Sequence, residues 1–298
     1  MTLKQLEAFY WAATCASFAV AAERLHLSVS SLSKRIAELE SYFGQALFDR
    51  SGLRAVLTPA GERLLPQARD LLDAAERLRA SMAAGQALAG RCRFGVGELS
   101  ALTWLPGLIA RVRQAYPGLV LEPQVDVGQV LERKVADGEL DFAVIAGRST
   151  RAGMAAVPVG EAHFLWVGAA SAVGAAQRLT PALLRQTPLV TLPDSAGTSR
   201  LLQPWLDAAG PGLQRLSCNN WGAIAGLLLE GAGLGLLPAP WAQALARQGE
   251  LRILASDPAP APLSYAFHYR RDDVRALIGA LRERVRQAVD FSAPCRLP

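Results

Sequence analysis

Apolar positions in the first forty residues recur at the spacing of two short helices. In the first helix, apolar side chains three or four residues apart share one face, and Ser17 can accept a hydrogen bond from the first turn. The side chains of this face are Phe18, Ala21, Ala22 and Leu25. Because alanine is small, another backbone can approach this helix closely. The pattern predicts a helix that begins after Ser17.

A second helix is predicted directly after the first, and Ser28 can cap it. Its apolar stripe consists of Leu32, Ile36 and Leu39. Only His26 and Leu27 separate the two helices, and histidine is enriched at the positive φ that suits a sharp turn. Two helices at a steep angle over about residues 18–37 are typical of a DNA-binding helix-turn-helix. A plain helical hairpin with a solvated polar face is the alternative.

Two short apolar segments follow the second helix, at residues 46–50 and 54–57, with a Ser-Gly turn between them. Such a pair predicts a β-hairpin, which in this position is the wing of a winged helix-turn-helix. The DNA-binding domain is therefore predicted over residues 1–58.

A long linker helix is predicted over residues 59–89. Thr58 suits its N-cap and Pro59 its first position, and the helical pattern reaches about Leu88. Apolar side chains recur along it at alternating spacings of four and three, as in the seam of a coiled coil. They are Leu64, Ala68, Leu71, Ala75, Leu78 and Met82. We expect this stripe to mediate dimerisation, with packing inside a globular bundle as the alternative.

From about Gly90 onward, short apolar segments alternate with helical periodicity. Strands are predicted at 93–96, 119–125, 138–145, 164–167, 189–192 and 231–238, and helices at 105–116, 130–136 and 199–208. Alternation of this kind predicts an α/β domain with a largely parallel sheet.

The composition is that of a folded protein with about two domains: 298 residues, 51% hydrophobic and 19% charged. A net charge of +5 permits an anionic partner, and Lys34, Arg35, Arg50 and Arg54 are concentrated where DNA would lie. The four cysteines, Cys15, Cys92, Cys218 and Cys295, have no metal-site spacing and suit a reducing cytoplasm. We expect no cofactor, no metal and no membrane partner. The longest apolar stretch, 222–241, contains Glu230 and several Gly and Pro residues, so a buried helix running into a strand is predicted there.

Residues 1–61 resemble the LysR-type transcriptional regulators through short elements at matching intervals. These are Leu6-Glu7-Ala8-Phe9, Ser17-Phe18, 21–26, Leu32-Ser33-Lys34, Leu39-Glu40, 47–50 and 57–61. The resemblance continues less tightly through Trp104-Leu105-Pro106, 138–141 and 231–238. It implies a regulator that binds double-stranded operator DNA and a small-molecule effector as a homodimer or homotetramer. It also implies contact with RNA polymerase if the protein is an activator.

The resemblance implies a multidomain α+β fold as well: a winged helix-turn-helix, a linker helix and a C-terminal α/β effector domain. That domain would consist of two Rossmann-like subdomains similar to those of periplasmic binding proteins, with crossovers near residues 160 and 266. Subdomain I would hold residues 90–160 and 267–298, and subdomain II residues 161–266.

The recognition helix and wing carry the DNA-binding candidates, which are Ser28, Val29, Ser30, Ser33, Lys34, Arg35, Arg50 and Arg54. Relatives often have Gln and Pro where this chain has Val29 and Ser30, and usually Arg at Lys34. Val29 can offer only apolar contact, for example to a thymine methyl group, and Lys34 lacks the planar fork of arginine. We expect the family's docking on DNA with a base preference of this chain's own. A solvated arginine pair on the wing is the alternative for Arg50 and Arg54.

The effector candidates are polar or aromatic side chains that follow strands or begin helices, where ligands of α/β proteins bind. They are Ser100, Thr103, Gln129, Thr198, Asn219 and Trp221. Ordinary helix capping explains the same residue types equally well. Relatives commonly have a hydroxyl near Leu99 and Gly128; its absence, together with Glu98, disfavours a bound anion. We expect a pocket that is more apolar than usual, with Trp104 or Trp221 contributing.

An enzyme is disfavoured, because no nucleophile has a visible triad partner and the glycines at 231–235 lack the spacing of a dinucleotide site. A binding protein without DNA function would leave the N-terminal half unexplained. A constitutive DNA-binding regulator with a vestigial pocket remains an alternative to a ligand-responsive one.

Overall fold

A computed structural model of the chain describes residues 1–50, 55–82, 88–149, 151–273 and 275–293. It contains a helical N-terminal domain, a long helix and an α/β domain with two separate sheets. None of the described helices is long and apolar enough to cross a lipid bilayer.

The N-terminal domain is a winged helix-turn-helix. Its elements are α1 (Leu3–Thr14), α2 (Phe18–Arg24), α3 (Val29–Phe43), β1 (Phe48–Asp49) and β2 (Val56–Leu57). The Ser17 and Ser28 hydroxyls accept the N–H groups of Val20 and Ser31, so both predicted caps are present. His26 has the predicted positive φ, at 53°. α3 runs six residues beyond the predicted end at 37, because nothing in the sequence breaks the helix before Gly44.

The core of this domain joins α1, α3 and the wing. Leu6, Phe9, Ile36 and Leu39 are fully buried, and the Phe9 ring meets that of Phe48 edge-on with centroids 5.7 Å apart. The apolar stripe predicted on the second helix is therefore the stripe that packs.

The linker helix α4 spans Pro59–Met82. The Thr58 hydroxyl accepts the N–H of Gly61 at 3.1 Å, as expected of an N-cap. The stretch from 83 to 87, over which the helix was predicted to continue, lies outside the described residues, and Leu88 and Ala89, also predicted to belong to it, are not helical.

The first sheet of the effector domain has the strand order β4-β3-β5-β12-β6. Its strands are β3 (Gly90–Val96), β4 (Leu119–Val125), β5 (Phe142–Ala146), β6 (Met154–Ala162) and β12 (Leu263–Arg270). Its helices are α5 (Glu98–Leu102), α6 (Leu105–Ala115), α7 (Gly128–Ala136) and α13 (Ala276–Ala288). β5 is apolar throughout because it pairs with strands on both sides and is covered on both faces.

The second sheet has the strand order β11-β7-β10-β8-β9. Its strands are β7 (Phe164–Gly168), β8 (Leu189–Thr191), β9 (Arg215–Ser217), β10 (Leu234–Pro238) and β11 (Arg252–Leu254). Its helices are α8 (Ala170–Val173), α9 (Pro181–Gln186), α10 (Ser199–Ala209), α11 (Trp221–Leu229) and α12 (Ala239–Arg247). α11 leads into β10, as predicted for the long apolar stretch.

Two features of this domain differ from the sequence-based expectations. Both sheets are mixed, since β12 pairs antiparallel with β5 and β6, and β7 pairs antiparallel with β10 and β11. The crossover predicted near residue 160 is close to the observed one, whereas residue 266, near which the second was predicted, falls inside β12 of the first sheet. The chain passes between the sheets at His163 and again between β11 and β12.

Candidate functional site

The first turn of α3 is exposed. Val29 is 47% exposed, and Ser28 and Ser30 are also exposed. The Ser28 hydroxyl already serves the helix by accepting the Ser31 N–H at 3.1 Å and lies 2.9 Å from the Ser30 hydroxyl. The first turn of α3 therefore presents an apolar side chain beside a cluster of hydroxyls to solvent.

Farther along α3, Lys34 is exposed, while Ser33 and Arg35 are half-buried. On the wing, Arg50 lies 3.5 Å from the Glu40 carboxylate and 5.8 Å from the centre of the Phe18 ring. Arg54 lies outside the described residues. The structure thus places Lys34 and Arg50 at the surface near the start of α3 and the wing. Their contacts with DNA stay predictions.

The predicted dimerisation stripe divides into two parts. Ala68 is buried and Leu64 half-buried in the core of the winged helix-turn-helix. Leu71 and Leu78 are 44% and 65% exposed. Ala75 is half-buried, and Met82 ends the described helix. The N-terminal part stabilises the chain's own domain, and Leu71 and Leu78 are the exposed part of the stripe.

A cleft of about 330 Å³ separates the two subdomains of the effector domain. One wall follows the carboxyl ends of β3, β4 and β5, and the other is formed by the loops after β8 and β9. This is where ligands of open α/β sheets bind, and its volume suits a small molecule.

Half of the predicted effector residues lie in this cleft, namely Thr198, Asn219 and Trp221. The others do not line it. Ser100 is fully buried in α5, the Thr103 hydroxyl donates to the Leu99 carbonyl at 2.7 Å, and Gln129 is exposed on α7. Trp104, the alternative aromatic residue, is buried in the core. A bond within the chain thus accounts for the Thr103 hydroxyl, whereas the buried Ser100 hydroxyl has no hydrogen-bond partner in the described structure.

Glu98 crosses the cleft and was not among the predicted contacts. Its Oε2 accepts the Trp221 N–H at 2.8 Å, and its Oε1 accepts from the Asn220 amide at 2.7 Å. A side chain of the first subdomain therefore occupies the N-terminus of α11 in the second. Burial raises the pKa of the Glu98 carboxyl above the usual 4.5, partly opposed by the N–H groups of Trp221 and Gly222.

Asp126, Leu263 and Tyr265 also line the cleft and were missed. Asp126 directly follows β4, so its position after a predicted strand could have indicated it. Leu263 and Tyr265 lie on β12, which enters the first sheet from far along the chain, and no local signal identifies them.

Gly197 brings the two subdomains close together. A Cβ atom at this residue would lie 2.6 Å from the Cβ of Ala146 at the end of β5. Only glycine fits there without displacing one wall of the cleft.

The helix-turn-helix is docked on the first sheet's subdomain through Arg24. Its Nη2 donates to Asp141 at 2.7 Å and to Asp273 at 3.1 Å, and its Nη1 donates to the Gly138 carbonyl at 2.7 Å. Arg275 forms ion pairs with the same two carboxylates. Burial alone would raise the pKa of Asp273, but Arg275 and then Arg24 hold it below its usual value.

Further contacts surround this buried cluster. The Trp11 ring lies beneath the guanidinium groups of Arg24 and Arg270, whose central carbons are 4.1 and 4.8 Å from its centre. The Ala16 N–H donates to the Asp137 carbonyl at 3.0 Å, and the Tyr10 hydroxyl donates to the Asp272 carbonyl at 2.6 Å. The interface is thus formed by backbone groups as well as charged side chains.

Two family models match the chain. The model described as "Bacterial regulatory helix-turn-helix protein, lysR family" matches residues 3–62, and the model "LysR substrate binding domain" matches residues 85–290. Together they cover both domains that the structure describes.

Individual relatives agree with these models. A "Probable hydrogen peroxide-inducible genes activator" of Mycobacterium xenopi is 36% identical over 165 residues, which is 55% of this chain and 87% of the relative. An uncharacterised HTH-type transcriptional regulator, YfeR of Shigella flexneri, is 30% identical and covers 80% of this chain and 78% of its own. The solved structure of a Corynebacterium glutamicum OxyR C206 mutant is 28% identical, with a TM-score of 0.55 over 96% of this chain and 92% of that one.

Proposed function

The chain belongs to the LysR family of bacterial transcriptional regulators, and from that premise we propose that it is a ligand-responsive operator-binding switch. As a member it is a DNA-binding transcriptional regulator with an effector-binding domain. We infer that it acts in the cytoplasm, as a homodimer or homotetramer, and that it contacts RNA polymerase if it activates transcription.

One observation carries the proposal: a single chain joins an exposed recognition helix to a ligand-sized cleft. α3 presents Val29, Ser30 and Lys34 to solvent, and the cleft between the subdomains holds about 330 Å³. A ligand that binds one separation of the subdomains better than another shifts their equilibrium by its difference in affinity. The helix-turn-helix is docked on the first subdomain and moves with it, so the shift acts on DNA binding by changing how the copies of the oligomer are arranged.

The test is a footprint of the full-length protein on operator DNA, with and without metabolites that raise its melting temperature. We expect a bound metabolite to move or shorten the footprint. The variant Gly197→Ala, which crowds the cleft, should lose this response and keep its affinity for DNA. Gly279→Ala, on α13 where a Cβ meets open space, is the matched control. Metabolites that bind without changing the footprint would identify a constitutive regulator.

The peroxide response named for the M. xenopi relative gains no support from Cys15 and Cys92. Burial raises the pKa of both thiols, so both are protonated near neutral pH, and the thiolate is the form that reacts with oxidants. The ligand-sized cleft is the observation that favours a small-molecule signal.

A further inference from the structure

We propose that the effector carries a protonated amine, which the Glu98 and Asp126 carboxylates recognise in the cleft; this inference rests on the proposed function above. Both carboxylates belong to the first subdomain and lie on the wall opposite Thr198. Of the described residues that line the cleft, none is lysine, arginine or histidine. The cleft therefore has negative side chains with no positive side chain on its lining to neutralise them.

The N-terminus of α11 is unavailable to an anionic ligand. Glu98 accepts the Trp221 N–H, and the Asn220 side chain accepts the Ala223 N–H at 2.8 Å. An anion would have to displace a carboxylate that the chain itself supplies and then remain beside it. Glu98 therefore occupies the position at the N-terminus of α11 that the carboxylate of an anionic ligand would otherwise take.

Glu98 retains the capacity to bind a donor. Glu98 accepts the Asn220 amide through Oε1 and the Trp221 N–H through Oε2, with the Gly222 N–H as a further donor, and each carboxylate oxygen has lone pairs for two bonds. An ammonium group has three donors and no acceptor, which complements these free positions. A charge-assisted hydrogen bond of this kind is stronger than a neutral one, the more so in a half-buried cleft.

We expect Asp126 to contribute less than Glu98 to the binding of an ammonium group. Its Oδ1 accepts the Val127 N–H at 2.8 Å, and the Lys134 ammonium lies 3.8 Å from its Oδ2. Because Lys134 partly compensates this charge and the side chain is 37% exposed, we expect Asp126 to support binding and Glu98 to dominate it.

Thr198 points independently to a ligand. It is 7% exposed, and its hydroxyl oxygen is buried without a hydrogen-bond partner in the described structure. Buried hydroxyls are nearly always paired, and Thr198 lines the cleft, so a polar atom of a ligand bound there would supply the partner that this oxygen lacks. Trp221, Tyr265 and Ile145 provide an apolar wall for the remainder of that ligand.

The experiment uses the full-length protein and probes of one shape with different charge. The probes are 2-phenylethylammonium, 3-phenylpropanoate and zwitterionic phenylalanine, and their affinities are measured by calorimetry. A metabolite library sorted by charge is screened separately by thermal shift. We expect the ammonium probe to bind at least tenfold more tightly than the carboxylate probe, and amines to dominate the library hits. We expect phenylalanine to bind more tightly than the carboxylate probe and less tightly than the simple amine, because its carboxylate enters a cleft whose described lining has no positive side chain.

Variants identify the carboxylate responsible. Glu98→Gln keeps an acceptor for the Trp221 N–H and should weaken amine binding at least tenfold, and Asp126→Asn about threefold. Glu250→Gln, an exposed carboxylate after α12, should have no effect. Circular dichroism and DNA binding measure whether each variant is folded. If Glu98→Gln is not folded, the effect of Asp126→Asn on amine affinity tests the proposal.

Two outcomes would contradict the inference, and they are distinguishable. If carboxylates bind as well as amines, or if amines bind folded Glu98→Gln as tightly as they bind the native protein, the amine is wrong and the effector site stands. If no member of the library binds, the effector site itself fails and the inference with it.

Discussion

Arg24 and Asp141 form an ion pair between the helix-turn-helix and the effector domain. The Arg24 Nη2 lies 2.7 Å from the Asp141 Oδ1, and the two side chains are only 9% and 8% exposed. Asp141 also accepts the backbone N–H of Arg93 in β3 at 2.7 Å, which anchors its carboxylate to the first sheet. Arg24 of the DNA-binding domain therefore binds a carboxylate that is itself hydrogen-bonded to strand β3 of the effector domain.

We expect Arg24→Met to weaken the docked interface by about 3 kcal/mol, because two buried carboxylates then share Arg275 alone. Amide hydrogen exchange measures this at Ala16, whose N–H donates to Asp137 across the interface. Exchange there should accelerate about a hundredfold, while the amides of β5 are unaffected. Arg247→Met, an exposed arginine on α12, is the control. Unchanged exchange at Ala16 would show that the ion pair does not hold the domains together.

We expect Arg50→Ala to weaken DNA binding about equally on all sequences and to reduce the salt dependence of binding by about one unit of slope. A phosphate contact acts in this way because it releases one counterion without reading a base. Titrations of operator and random DNA at several salt concentrations measure both effects. Lys34→Ala, by contrast, should change base preference at particular positions. If Arg50→Ala leaves the salt dependence of DNA binding unchanged, Arg50 does not contact a phosphate.

The double variant Leu71→Ser/Leu78→Ser should be a monomer with reduced affinity for operator DNA. The two leucines are 44% and 65% exposed on α4, and burying the exposed part of each against a second chain stabilises a dimer by about 1–2 kcal/mol. Sedimentation velocity measures the change. Ile253→Ser, at an exposed apolar position on β11, is the control. A variant that still sediments as the native oligomer would locate dimerisation elsewhere.

Amine binding should weaken as the pH falls through the pKa of Glu98. Burial raises that pKa above the usual 4.5, so the carboxylate that binds the amine is lost at a higher pH than an exposed one. The affinity should be constant above this pKa and decline about tenfold per pH unit below it. Calorimetry between pH 4.5 and 7.5 measures it, and Glu98→Gln should give a flat profile. Asp126, with Lys134 beside it, is the other charged group facing this part of the cleft. The same decline in the variant would assign the pH dependence to a group other than Glu98.

Local chemistry explains which parts of the fold the sequence could predict. Ser17, Ser28 and His26 act within one helical turn of their own positions, and the structure confirms all three. The antiparallel strand β6 contains Pro158 and Gly160, which weaken a strand pattern, so the mixed character of the sheet could not be predicted from alternation.

Residues of the site could likewise be predicted only where a local signal in the sequence identifies them. Thr198, Asn219 and Trp221 follow short local signals and lie in the cleft. Tyr265 reaches it only because β12 returns to the first sheet, and Arg24 meets Asp141 and Asp273 from more than a hundred residues away. Contacts of this range depend on the completed fold, and no periodicity in the sequence encodes them.

Helix α7 borders both functional regions at once. Gly128, in its first turn, lines the effector cleft, and the carbonyls of Asp137 and Gly138, just past its last turn, accept hydrogen bonds from Ala16 and Arg24 of the helix-turn-helix. Nine helical residues span about 14 Å and behave as a stiff rod. This helix of two and a half turns therefore connects the effector cleft directly to the docked helix-turn-helix, and its buried side chains Leu131 and Val135 also fix it to the first sheet.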